Sequence, residues 1–387
     1  MKRKTQQQYQ SGAVALFVVV FATLLMMIIT LSFVQLMIKD QQQATANDLS
    51  QSAYDSAQSG VEDAKRLLLL GQACRSNAAP SSVNCSEVLS AIDSGDCNTV
   101  ATVFGDPNTE TLIQQDEADE ALQQAYTCII IDAQTVDYKG QLEMNQSNII
   151  PLEGVGEFNR IQISWFTRAD IADATSSLAI GFPGSGPSVS LPRVGSQWGL
   201  DNPALLRAQF MQTGSSFTLA DFDDNQAGNT SNANTLFLYP SETGASDMSF
   251  ALDARRSSPG APQQADCVSS FSVREYACTV TLALPNPIDG DTANRGAYLR
   301  LGALYNTAHY KIELLNGSTP VLFDQVQPEV DSTGRANDMF RRVKSRIELK
   351  SDFTYPEAAI DLEGDLCKNF IITADPADYQ DSTTCTP

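Results

Sequence analysis

One histidine limits the chemistry open to this chain. Because His309 stands alone, HExxH and multi-histidine metal sites are excluded, and any Ser/His/Asp relay would have to run through it. It sits in Ala308-His309-Tyr310-Lys311-Ile312, an apolar stretch that reads as the start of a strand, where a plain strand residue is expected. No G-x-x-x-x-G-K-[ST] loop is present, and Gly154-Val155-Gly156 lacks the third glycine of a dinucleotide-binding turn, so a turn before a strand accounts for it. Two carboxylate patterns have the composition of cation sites. Asp48-Leu49-Ser50-Gln51-Ser52 has D-x-S-x-S spacing, but it falls in a helical stretch where positions 48, 50 and 52 diverge around the axis. Asp221-Phe222-Asp223-Asp224-Asn225-Gln226-Ala227-Gly228 clusters carboxylates in a turn, as calcium requires, yet its glycine falls two places late for an EF-hand loop and no Glu closes the twelfth position. A solvated acidic loop is expected there. No catalytic, cofactor or metal residue is assigned, and the expectation is a non-enzyme without a cofactor.

Cysteine is the other reactive type. All eight, Cys74, Cys85, Cys97, Cys128, Cys267, Cys278, Cys367 and Cys385, lie beyond residue 73. There is no C-x-x-C and only one histidine, which disfavours zinc, and the even count reads as disulfides in an oxidising compartment. Local pairing favours Cys267 with Cys278, at the opening of a strand, and Cys367 with Cys385; the other four are left to pair among themselves.

The compartment follows from the segment ahead of the cysteines. Lys2, Arg3 and Lys4 precede Gly12 and an uncharged apolar run, Ala13 to Ile38, which at about 1.5 Å per residue exceeds the roughly 30 Å hydrocarbon core of a bilayer. Such a run is too long for a removable signal sequence, whose apolar part is about 7–15 residues. The first proline is Pro80, so the helix is expected to continue through residues 39–72 as a polar rod. Along it Ala46, Leu49, Ala53, Ala57, Val61, Ala64 and Leu68 form a narrow stripe of small and apolar residues, which needs a partner surface such as the chain's own globular part. Basic residues before the span place the N-terminus in the cytoplasm and everything after it outside. Three of the 25 basic residues precede the span, leaving 22 against all 46 acidic ones outside. That balance argues against nucleic acid as a partner and against docking flat on anionic lipid.

The remainder, 73–387, reads as a β-rich, disulfide-containing ectodomain, either one elaborated domain or two subdomains at about 73–150 and 151–387, so the fold class is α+β. Residues 71–100 read as loop and 109–125 as a short amphipathic helix. Strands are expected over 126–133, 158–166, 205–211, 235–239, 277–284, 298–304, 310–315, 321–323 and 340–349, separated by Gly/Ser/Pro/Asn-rich connectors at 181–203, 213–234 and 254–264. Asp331 to Asp338 leads into a basic strand on which Arg342, Lys344 and Arg346 share a face with Phe340. Its expected partners are carboxylates of this acidic chain, the alternative being an intersubunit contact.

The N-terminal 60 residues resemble type IV prepilin-like proteins, and more closely the N-terminal region of PilX-type minor pilins. The likeness rests on a basic leader ending at Gly12, Ala13-Val14-Ala15-Leu16, Thr30, and Ala46-Asn47, Ala53, Ala57 and Gly60-Val61-Glu62-Asp63-Ala64. A weaker similarity covers Tyr310-Lys311-Ile312-Glu313 and Gly334-Arg335 with Arg342-Val343. The resemblance implies a leader, residues 1–12, cut by a prepilin peptidase between Gly12 and Ala13, and a membrane half, 13–38, that packs beside other pilin subunits once the pilus assembly machinery extracts it. It departs from major pilins in carrying Phe17 where they have Glu, which points to a low-copy subunit at or near the tip, priming or capping assembly, with a possible adhesive role. A pseudopilin of a type II secretion or DNA-uptake machine and a single-pass receptor or adhesin are the alternative functions.

Overall fold

The computed structural model describes residues 8–97, 99–104, 110–113, 123–171, 198–214, 233–250, 262–269, 275–288 and 295–349. Three helices come first, α1 Gln8–Arg75, α2 Cys85–Asp93 and α3 Thr99–Val103. The strands are β1 Thr111–Leu112, β2 Ala125–Thr135, β3 Tyr138–Leu142, β4 Ser147–Pro151, β5 Phe158–Trp165, β6 Leu205–Gly214, β7 Ala233–Ser241, β8 Asp247–Ser249, β9 Gln263–Asp266, β10 Cys278–Ile288, β11 Arg295–Leu304, β12 Ala308–Asn316, β13 Thr319–Val321, β14 Phe323–Ala336 and β15 Met339–Arg346. The chain divides into two compact units, Met1–Ile131 with Val330–Ser345, and Asp132–Glu329 with Arg346–Pro387.

In the first unit α1 dominates. Its 68 residues span about 100 Å at the standard rise. It runs past the expected end because its stop signal lies further on: Asn77 takes a left-handed φ of 55°, and the Ala78 amide bonds back to the Ala73 carbonyl while that of Asn77 reaches Cys74. This is the paired closure that a left-handed residue after a helix permits. The stretch 71–100, expected as loop, instead holds α2 and α3. Val88, Ala91 and Ile92 recur at helical spacing and are buried, so a one-sided apolar stripe outweighs the loop-like composition. The helix expected over 109–125 is also corrected where it is described. Thr111 and Leu112 pair antiparallel with Tyr126 and Ala125, and residues 114–122 lie outside the described residues. The associated sheet has the order β1-β2-β14-β15.

The second unit holds two further sheets. One has the order β13-β12-β5-β10-β8 with β3 joined to β12, and the other β4-β11-β6-β7-β9. Alternation drives both. In β12 every second residue, Ala308, Tyr310, Ile312 and Leu314, is fully buried, and Ile161, Ile163 and Trp165 do the same in β5. These join Leu206, Phe210, Leu236, Leu299 and Leu301 of the other sheet in one core, so the sheets pack as a sandwich. The Trp165 indole donates to the Ala204 carbonyl at 3.0 Å, satisfying the polar atom of the largest buried side chain.

Candidate functional site

The feature with the strongest functional content is α1, whose two halves have opposite surfaces. From Leu16 to Ile38 the eighteen large apolar side chains are all exposed, Phe17 at 72%. An exposed apolar surface of this extent is far beyond the few hundred Å² usual for a soluble monomer. The stretch is long and apolar enough to cross a membrane. Its hydroxyls are satisfied within the helix: Thr23, Thr30 and Ser32 donate to the carbonyls of Val20, Met27 and Ile28 at 2.9 Å each. Internal satisfaction is what an apolar surrounding demands of them. Gly12 and Ala13 fall inside the helix bounds.

The second half is the reverse. Ala53, Ala57, Ala64 and Leu67 are completely buried, and Ser56 and Leu68 nearly so. The stripe of small residues seats on strands of the same unit. A Cβ on Gly334 of β14 would lie 2.2 Å from the Ala53 carbonyl oxygen, and one on Gly60 would lie 2.4 Å from the Ser332 hydroxyl. Polar contacts fix the register: the Tyr126 hydroxyl donates to Asp63 at 2.9 Å, and Arg341 Nε donates to the Ser50 hydroxyl at 2.8 Å. Two disulfides close the unit, Cys74–Cys85 joining the last turn of α1 to α2, and Cys97–Cys128 fastening the connector to β2. In the second unit Cys267–Cys278 ties the chain after β9 to the first residue of β10, and so joins the two sheets. Cys367 and Cys385 lie outside the described residues.

The basic strand finds carboxylates within the chain. Arg342 forks onto Asp331, which holds its guanidinium above the ordinary value through that hydrogen bond and charge. Arg346 pairs with Asp137 at 2.7 Å and donates to the Asp137 carbonyl at 2.6 Å. Around it the Gln327 amide binds both backbone groups of Lys139, and the Tyr138 hydroxyl donates to Glu348 at 2.7 Å.

His309 has a partner that sequence reading missed. Its ring Nδ1 lies 2.7 Å from Asp170 Oδ1, and its backbone amide also reaches that carboxylate. Asp170 further accepts from the Thr167 amide and hydroxyl. With these donors converging on a carboxylate whose side chain is 1% exposed, Asp170 closes a turn and fixes the histidine. Among the described residues no hydroxyl or thiol bonds the other ring nitrogen. Asp48, Ser50 and Ser52 are helical, Ser50 being used by Arg341, and the described residues hold no cluster of three or more His, Cys, Asp or Glu placed for a metal. The Asp221–Gly228 loop is outside the described residues. Gly154-Val155-Gly156 forms a turn bridged to Phe323.

No family model, no curated protein and no solved structure matches this chain.

Proposed function

We propose that the chain is a low-copy type IV pilin-like subunit. In this reading residues 13–38 anchor it in the cytoplasmic membrane, N-terminus inside and ectodomain outside, until it joins a surface filament. Prepilin peptidase removes 1–12 after Gly12, and the freed helix packs beside other pilin subunits, exchanging lipid for protein along its apolar side chains. The observation that carries the reading is the division of α1: the Leu16–Ile38 part offers apolar side chains all round, while Ala53 to Leu68 is seated on the chain's own strands. A simple anchor needs only the first half. A continuous rod whose second half is seated on strands of its own unit carries that unit beyond the membrane.

Phe17 supports a minor rather than a repeating role. A Glu there would neutralise a neighbour's buried N-terminal amine; a phenyl ring leaves that charge uncompensated, which disfavours stacking many copies. Position at or near the tip, priming of assembly and adhesion through the connectors at 181–203 and 213–234 complete the proposal. The test is fractionation: immunodetection of the chain in filaments sheared from cells, and its loss from that fraction when the major filament subunit is deleted. Retention in membranes alone would turn the reading to an anchored ectodomain, and co-fractionation with a secretion apparatus to a pseudopilin.

A further inference from the structure

Asn-x-Ser/Thr triplets occur in the chain at Asn84, Asn145, Asn229 and Asn316. On an exported part each has the sequence of an N-glycan acceptor, which a transferase reads as an asparagine amide and a hydroxyl two residues on. The structure separates them by what their side chains already hold. The Asn84 side-chain amide donates to Glu87 at 3.3 Å and its oxygen accepts from the Ser86 hydroxyl at 2.8 Å, while Cys85 between them is tied to Cys74. At Asn145 the hydroxyl is taken, since Ser147 accepts from Arg300 Nε at 2.9 Å and pairs with Gly302 in the sheet. Asn229 lies outside the described residues.

Asn316 differs. It ends β12 and pairs with Thr319 at the start of β13, so Gly317 and Ser318 make a two-residue turn. Gly317 takes the positive φ that such a turn requires, 62°, and nothing lies within 4 Å of where its Cβ would be. Every residue from Asn316 to Pro320 is exposed. Among the described residues no hydrogen bond engages the Asn316 side-chain amide or the Ser318 hydroxyl. The turn is nevertheless fixed, because the Gly317 backbone amide donates to Asn159 Oδ1 at 2.9 Å. Both groups that a transferase must hold are therefore presented together, unengaged, on one open tip.

We propose that Asn316 is the acceptor of an N-linked glycan, the donor being an oligosaccharide carried on a polyprenyl diphosphate. The anomeric carbon of the sugar gains a bond to Asn316 Nδ2 as its bond to the diphosphate oxygen breaks. The proton lost from the amide leaves with the lipid diphosphate, so no redox partner is required. The Ser318 hydroxyl binds the transferase and is not consumed. A glycan on this turn extends into solvent and displaces no side-chain contact of the fold. The assignment rests on export of the ectodomain and not on the filament reading.

The test is mass spectrometry of the full chain isolated from the membranes of the cells that make it. Trypsin releases Ile312 to Arg335 as one peptide, in which Asn316 heads the only such triplet. The expected result is that peptide carrying a mass increment of sugar residues, placed on Asn316 by fragmentation, lost in Asn316→Gln and in Ser318→Ala and kept in Ser318→Thr. These substitutions fall on exposed turn residues, so the circular dichroism of all three should match wild type. A bare peptide from wild type would overturn the assignment, as would a glycan on Ser318 or Thr319, or one that persists in Ser318→Ala.

Discussion

Gly334 lies directly against the backbone of Ala57: a Cβ on Gly334 would stand 2.2 Å from the Ala57 nitrogen. Backbone cannot move aside as a flexible side chain does, so the approach of α1 to β14 depends on a glycine here. Gly334→Ala should therefore destabilise the first unit by about 2–3 kcal/mol, the usual penalty for overpacking. Gly156→Ala is the control, since nothing lies within 4 Å of its Cβ position. Thermal unfolding followed by circular dichroism checks both, and equal midpoints would remove close packing as the reason for this glycine.

The Tyr126 hydroxyl bond to Asp63 joins helix and strand at a part-buried site. Tyr126→Phe keeps the ring and loses one hydrogen bond to a charged acceptor, so a cost of about 1.5–3 kcal/mol is expected in urea unfolding. Asp63→Asn should cost less, because an amide oxygen still accepts.

The disulfides give a covalent prediction. Digestion of the unreduced protein should yield linked peptides Cys74–Cys85, Cys97–Cys128 and Cys267–Cys278. Replacing both Cys97 and Cys128 by Ser should lower stability by about 2–4 kcal/mol, the range for closing a loop of this order. Alkylation of these cysteines in the native, unreduced protein would contradict the pairing.

Alkali should unfold the second unit. Burial above all pushes the Tyr310 hydroxyl from its ordinary 10.0 up to about 12, and burial with the neighbouring Tyr310 and Glu348 raises Tyr138 as well. Raised phenols keep their protons in the folded state while the unfolded chain releases them, so the stability they confer is intact below pH 10.0 and declines as pH rises through about 12. At about 1.4 kcal/mol per pH unit, Tyr310 alone accounts for roughly 3 kcal/mol. The urea midpoint should fall between pH 9 and 11 more steeply, by these same shifts, for wild type than for Tyr310→Phe (approximate working pH values). Parallel declines would show that Tyr310 ionises freely in the fold.

Much of the architecture was legible from patterns with one dominant cause. Ile161, Ile163 and Trp165 recur at every second position because that face of β5 meets the sandwich core, and the apolar run of α1 needs no tertiary context. What escaped reading depended on small residues. Asp331 to Asp338 has turn composition, yet β14 runs through it to Ala336, because Val330, Ser332, Gly334 and Ala336 form its buried side. Small side chains there follow from the closeness of the helix, which a hydrophobicity pattern cannot register. The Asp170–His309 pair joins residues far apart in sequence, and nothing local marks it. The intramolecular partners of Arg342 and Arg346 were more accessible, since acidic excess alone made them the expected outcome.

The filament reading turns on the N-terminus of the mature chain. Mass spectrometry of the protein from sheared surface filaments, and separately from membranes, should find Ala13 as the first residue in the filament fraction. An intact Met1 with the chain confined to membranes would contradict processing at Gly12 and leave an anchored ectodomain in its place.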